Sequence, residues 1–503
     1  MSGGPLQPNE ATREQPVDLV SRSAIAAYVL LAGFIVIALG HPVPYNNEHH
    51  YLIASYRLFH PEFAISDPGL GEPLYGHLIF QVTAGALMTV LPLEVVGWLL
   101  RLLSWALAMA GIVLVSAKIG IRPWMAVIAI IVWLTNGQTI LAHEWVIGGA
   151  EAKAFAYPML LFAIHALLTN HAYRAAMLIG VGASLHPLVG VQLGGAICVA
   201  AVFLHDREWR IPLFAALVVL FALPGVIPTF HGMAQGPASA VDWRFVARFA
   251  MPFHLDPTSF PRRSYFNLGL LLSFNLFVCW QFRRETGYRL FGIMLVALMF
   301  LFAAGLAAWE LGSYGFLQLM PFRVLPVLAL LLFLLFIAAL IRHRSTHRVL
   351  WILGAWGLLA LSEPLAGLID MRVSQGEHHR YPTGAFDWIA QETPNDALIL
   401  SPPGATNSIS RSERGQVAFY RWIRMRALDD WRERLETVLG PVETAADPAA
   451  WLSRYDSLTL ERLGVITEKY GATHFVTNRS FDLPLLYQDA AGWRVYSLGN
   501  LVS

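Results

Sequence analysis

Residues 41–51 read His-Pro-Val-Pro-Tyr-Asn-Asn-Glu-His-His-Tyr. The stretch brings a carboxylate, two amides, three imidazoles and two phenols together directly after an apolar run, 24–40. Such groups exchange protons, ligate metals and hydrogen-bond hydroxyls, and an inert membrane anchor needs none of them. Glu48 is therefore the expected centre of a site, lined by Asn47, His49 and Tyr51. His49 and His50 are neighbours, and adjacent side chains in a helix point apart, so they do not serve one metal from a helix. No metal site is assigned.

Further polar groups gather in other short segments. The stretch 138–153 contains Glu144, Glu151 and Lys153, and the stretch 310–323 ends Gln318-Leu-Met-Pro-Phe-Arg323. Asp67 falls in the loop after the first apolar run, His186 precedes Pro187 at a helix end, and Arg262 and Arg263 sit in the long segment 230–265. Ionisable groups at membrane depth are expensive, which marks these residues as candidates for function.

The elements that carry them are membrane helices. The chain has 503 residues, of which 56% are hydrophobic and 14% charged, with a mean hydropathy of +0.52. That composition is too apolar for a soluble protein and fits a polytopic one. A net charge of +1 gives nucleic acid nothing to bind. Cys198 and Cys279 fall inside apolar runs, which speaks against a disulfide framework or a thiol metal site.

Apolar runs at 24–40, 97–117, 123–136, 154–170, 173–188, 190–204, 211–229, 266–282, 290–309, 323–341 and 349–369 predict about eleven spans. The first has no small-residue cleavage site behind it and reads as a retained anchor. One more run, 77–91, is ambiguous by hydropathy, and positive charge decides it. The basic short loops around Lys118 and Arg122, Arg174, Arg207 and Arg210, Arg283 to Arg289, and Arg342 to Arg348 all fall on one side only if 77–91 does not cross. The run is then a helix lying on or dipping into the outer face. The N-terminal tail 1–23 is cytoplasmic, and the loop 41–96 and the C-terminal domain are extracytoplasmic. The Arg-rich segment 230–265 lies outside on this topology, a site where anions could be held.

After residue 370 the composition changes. Short helices at 386–393, 431–439 and 458–470 alternate with strands at 397–401, 474–477 and 493–498, which predicts a small α/β domain over 371–503.

A first helix followed by a large outer loop with an early acidic residue and an interfacial helix resembles the GT-C glycosyltransferase superfamily. Glu48 stands where those enzymes keep an acidic residue of the first outer loop. Glu72-Pro-Leu-Tyr-Gly-His-Leu is similar to the segment that opens their interfacial helix, and Leu100-Arg101-Leu-Leu-Ser104 to the start of the span after it. Glu144 and Glu151 correspond to acidic residues of their second outer loop. The likeness covers roughly the first 200 residues, by architecture more than by tight motif. The C-terminal cap and the stretch Gly182-Ala-Ser-Leu-His-Pro-Leu-Val-Gly190 are also similar to bacterial members.

The resemblance implies a 24–370 transmembrane domain that moves a sugar from a polyprenyl-phosphate donor to a glycan, lipid or protein acceptor at the outer face of a bacterial inner membrane. It implies an inverting transferase of cell-envelope glycan synthesis. Glu48 would be its general base, and Arg323, Lys153, Arg262 and Arg263 the cations for the donor phosphate. Asn47, His49, Tyr51, Asp67, Glu144, Glu151, His186 and Gln318 would line the substrate site. Many superfamily members pair two acidic residues, whereas Glu48 stands beside Asn47 and His49. This bears on whether a divalent cation (Mg or Mn) takes part. Two other readings fit the same residues: a transporter or flippase for a lipid-linked sugar, which would favour internal repeats and polar groups in mid-membrane, and an inactive lipid-binding scaffold.

Overall fold

The computed structural model describes residues 19–142, 144–204, 210–234, 242–342, 382–419, 428–442 and 448–501. The expected span 349–369 and the domain boundary near 370 lie outside them. Ten of the expected apolar runs coincide with helices. These are α1 (Arg22–Leu39), α4 (Leu93–Lys118), α5 (Pro123–Thr135), α6 (Ala152–Leu168), α7 (Ala172–Leu185), α8 (Pro187–Leu204), α9 (Arg210–Ala234), α10 (Arg262–Gln281), α11 (Thr286–Glu310) and α12 (Leu325–Arg342). Between the first two lie α2 (Glu48–Phe59) and α3 (Leu78–Met88). Among the described residues, six helical stretches are long and apolar enough to cross a membrane, and α5, α6 and α7 are shorter apolar helices.

At 1.5 Å per residue, the 26 residues of α4 reach about 39 Å, more than a bilayer core, whereas the 11 residues of α3 reach only about 16 Å. The run 77–91 thus forms a helix too short to cross. Bundle packing depends on small residues at close approaches. Gly225 of α9 lies so near α7 that an added Cβ would sit 1.8 Å from the Ser184 carbonyl oxygen. The α7–α8 break comes from Pro187, which cannot continue α7. The π-helical turn Gly190–Gly194 then lets α8 resume.

The C-terminal segment is a small α/β unit, as its alternating pattern predicts. Its sheet contains β1 (Leu398–Leu400), β2 (Gly415–Gln416), β3 (His474–Thr477), β4 (Leu485–Gln488) and β5 (Arg494–Ser497), in the order β2-β1-β3-β5-β4. β1 runs parallel to β2 and β3, and β5 antiparallel to β3 and β4. Helices Thr383–Glu392, Leu428–Leu439 and Leu460–Tyr470 match the expected ones. The strands β2 and β4 and the helices Ser408–Ser412 and Pro448–Asp456 were not expected. β2 has two residues, too few to show a period, and β4 is a four-residue, mostly exposed edge strand.

Asp67, expected to line the site, instead fastens this domain to the loop after α2. Its buried carboxylate accepts hydrogen bonds from the backbone of Gly69 (2.8 Å) and of Gln416 (3.0 Å). Ser66 donates to the Ala397 carbonyl (2.9 Å), and His49 meets the Ser410 hydroxyl (2.8 Å). Gly415 is held so close that a Cβ there would lie 2.6 Å from the Asp67 nitrogen. Phe249 stacks on Trp451, with ring centroids 5.5 Å apart. Asp67→Ala leaves the buried Gln416 N–H without its acceptor, a cost of about 1–3 kcal/mol, and removes the half-buried bond to Gly69. It should speed proteolytic release of the C-terminal domain. An unchanged release rate would mean that the remaining contacts hold the domain without Asp67.

Candidate functional site

Glu48 opens α2 with its carboxylate fully enclosed. Its Oε1 accepts from Arg101 Nε (3.0 Å) and the Ala150 N–H (2.6 Å). Its Oε2 accepts from the Tyr45 N–H (2.8 Å) and from Arg101 Nη2. Arg101 also donates Nη1 to the His41 carbonyl (2.5 Å) and lies over the Trp98 ring at 4.7 Å. Glu48 is 0% and Arg101 1% exposed. Four donors fill the acceptor positions of one carboxylate, which leaves no lone pair for an incoming hydroxyl. Expected at the centre of the site as a base, Glu48 is a buried brace that ties α2, α4 and the loop before α6 together.

That loop carries the site. Gln138 pins it: its Oε1 accepts from the Val146 and Ile147 N–H groups (2.9 and 2.8 Å), and its Nε2 donates to the Ile147 carbonyl (2.6 Å). Trp105 donates to the Gly148 carbonyl (2.7 Å). Beyond it, Glu151 stands at the N-cap position of α6 and Lys153 in the first turn. Lys153 pairs with Glu144 and lies 3.3 Å from Glu151 Oε1. Arg323 comes from a distant part of the chain, and its Nε stands 2.8 Å from Glu144 Oε2, off the hydrogen-bond angle. The turn before it is fixed by Gln192 of α8, which donates to the Leu319 and Met320 carbonyls (2.5 and 2.8 Å). Asn47 Nδ2 donates to Glu151 Oε2 at 3.4 Å, and Lys153 lies over the Trp145 ring at 4.7 Å.

The two carboxylates are held in opposite ways. Burial opposes ionisation of Glu144, but Lys153 and Arg323 outweigh it and keep the acid well below the usual range. Burial pushes Glu151 up to about 7, with Lys153 pulling down and the Glu144 charge pushing up. At neutral pH the cluster therefore holds two cations, one firm carboxylate and one acid near its midpoint. Its charge favours an anion, and Glu151 is poised to exchange a proton. The Arg323 side chain is 18% exposed, and among the described residues Glu144 is its only ion-pair partner. The guanidinium thus has donors to spare.

Aromatic groups and imidazoles surround this core. Tyr51 of α2 is pushed up by burial and by Glu151. Its ring stands edge-on to His77, with centroids 5.2 Å apart. His254 donates its Nδ1–H to the Ala142 carbonyl (2.7 Å), and burial together with Arg323 lowers it to about 3. His186 caps α8 by accepting from the Val189 N–H at 3.3 Å, and lies within electrostatic reach of Arg323 and Lys153.

The expected residues thus divide. Asn47, Tyr51, Glu144, Glu151, Lys153, His186 and Arg323 come together. Arg262 and Arg263 are exposed at the start of α10, and Gln318 is also exposed, so none of the three joins the cluster. His49 and Asp67 serve the domain junction. Arg101, His77 and His254 have places that the reading of the sequence did not assign. Arg101 had a visible signal, since a lone basic residue inside the apolar run 97–117 requires a buried partner. Among the described residues no three His, Cys, Asp or Glu side chains are grouped as a metal ion requires. No family model matches the chain, and comparison with curated proteins finds no match.

Proposed function

We propose that this chain is a membrane glycosyltransferase of the GT-C type, with about eleven spans, acting at the outer face of a bacterial inner membrane. It takes a sugar from a polyprenyl-phosphate donor, and its reacting groups are Glu151, Lys153, Arg323 and Glu144. The observation that supports this reading is the convergence of two cations and a carboxylate poised near neutrality on one buried centre, fed by loops that the topology assigns to the outer face.

Arg323 and Lys153 bind the donor phosphodiester, Arg323 through its outer guanidinium nitrogens. Glu151 takes the proton of an acceptor hydroxyl as the oxygen bonds to the anomeric carbon from the face opposite the phosphate. The bond from that carbon to the phosphate oxygen breaks, and its electron pair leaves with the polyprenyl phosphate, whose new charge the two cations balance. Glu144 keeps both cations in place and charged while the site is empty. Burial excludes water, which would otherwise compete as acceptor.

Purified full-length protein in lipid nanodiscs, given polyprenyl-phosphoryl sugars with labelled sugar, should bind them and release polyprenyl phosphate. Arg323→Ala should weaken donor binding by about tenfold or more, the scale of one lost charge-assisted contact, with Arg323→Lys in between. Unchanged binding in Arg323→Ala would remove the phosphate role, and failure of the native protein to bind any such lipid would remove the reading.

A further inference from the structure

The break between α7 and α8 carries polar groups that neither proton transfer nor phosphate binding uses. His186 is 2% exposed, and its Nδ1 accepts the Val189 N–H. In the neutral ring this leaves Nε2 as the protonated nitrogen, and among the described residues Nε2 is buried without a hydrogen-bond partner. The His77 ring lies beside it, with centroids 4.7 Å apart and planes tilted by 44°, and its buried Nδ1 likewise has no partner among the described residues. Gln81 follows four residues later, in the first turn of α3, of which His77 is the N-cap residue. It is 0% exposed and its Oε1 accepts from the Leu74 N–H (2.9 Å), while its Nε2 is buried and unpartnered among the described residues.

Buried polar atoms left unmatched cost about 1–3 kcal/mol each, so the two adjoining imidazoles, with the Gln81 amide four residues on from His77, indicate a partner. The character of the partner follows from the surroundings. Arg323 and Lys153 act electrostatically on both imidazoles, and burial with these two cations lowers His77 to about 4, so its ring is neutral. A cationic ligand is repelled there, and an anion binds better at Arg323. A neutral group that both donates and accepts fits the amide and the two imidazoles, and a hydroxyl is such a group.

We propose that His77, His186 and Gln81 form a subsite for the hydroxyls of the sugar ring carried by the donor, beside the phosphate contacts of Arg323 and Lys153. This rests on the transferase reading, and the test separates the two. The full-length protein in nanodiscs is titrated with two probes of equal charge, a polyprenyl methyl phosphate and a polyprenyl hexosyl phosphate. The native protein should bind the hexosyl probe about tenfold more tightly, a ratio worth roughly 1.4 kcal/mol. The Gln81→Leu/His186→Phe variant should bind both probes alike, at the native affinity for the methyl probe. A preference that survives in the variant overturns the subsite, and so does a native protein that binds both probes equally, with the transferase reading intact. Binding of neither probe removes both. Should the variant not fold, nitrogen-15 spectra of the native imidazoles decide: two ring signals that move with the hexosyl probe and not the methyl probe support the subsite, and signals that respond equally overturn it. Stoichiometric uptake of added Zn²⁺ that is lost in His186→Phe would make the pair a metal site instead.

Discussion

Glu151→Gln should lower sugar transfer by roughly 10²- to 10⁴-fold, the range for loss of a general base, while donor binding and the unfolding temperature stay close to native. The amide keeps the shape of the side chain and can still meet Asn47 and Lys153, but it cannot take a proton. The pH dependence gives an independent reading of the same group. A base works in its ionised form, and burial pushes Glu151 up to about 7. The specificity constant of the native protein should therefore climb as pH rises through about 7 and then level. In the Gln variant that limb should disappear, leaving a low, flat residual rate. Glu144→Gln should behave differently. Lys153 and Arg323 hold that acid well below the usual range, so it stays ionised across the accessible pH range and imposes no limb near neutrality. Its loss should weaken donor binding by disordering the two cations. If Glu151→Gln keeps both its rate and its pH limb, the base lies elsewhere.

The helices were largely legible in the sequence, because an apolar run of about 20 residues has few other uses. The charge of the short loops is what sets 77–91 apart in the sequence, and the run forms the 11-residue helix α3. The candidate site was legible by region and not by role. Glu144, Glu151 and Lys153 fall within nine residues of one another, so their meeting could be read directly. Glu48 drew attention because it sits in a dense polar stretch, but density says nothing about partners. What decides its role is Arg101, 53 residues further on, together with two backbone N–H groups that carry no sequence signal. His77 and His186 are similarly separated by more than one hundred residues, and a pair of imidazoles side by side arises only from the way α3 packs on the α7–α8 break.

The brace gives the largest expected change in stability. Removing one partner of a buried ion pair leaves the other charge without compensation, at a cost of about 3–5 kcal/mol. Arg101→Leu strands the Glu48 carboxylate with only its two N–H donors, and Glu48→Leu strands the guanidinium with the His41 carbonyl and the face of Trp98. Each single variant should therefore unfold at markedly lower temperature in detergent. The double variant, Glu48→Leu with Arg101→Leu, removes both charges and replaces them with side chains suited to an apolar surround, so its loss should be smaller than the sum of the two and close to either single value or less. This non-additivity is the signature of a brace. A catalytic base would behave otherwise: Glu48→Leu would abolish transfer with native stability, and Arg101→Leu would not be rescued by it. That second pattern would return Glu48 to the centre of the reaction. The first would leave it beneath the site, where its hydrogen bond to Ala150 sets the position of the next residue, Glu151.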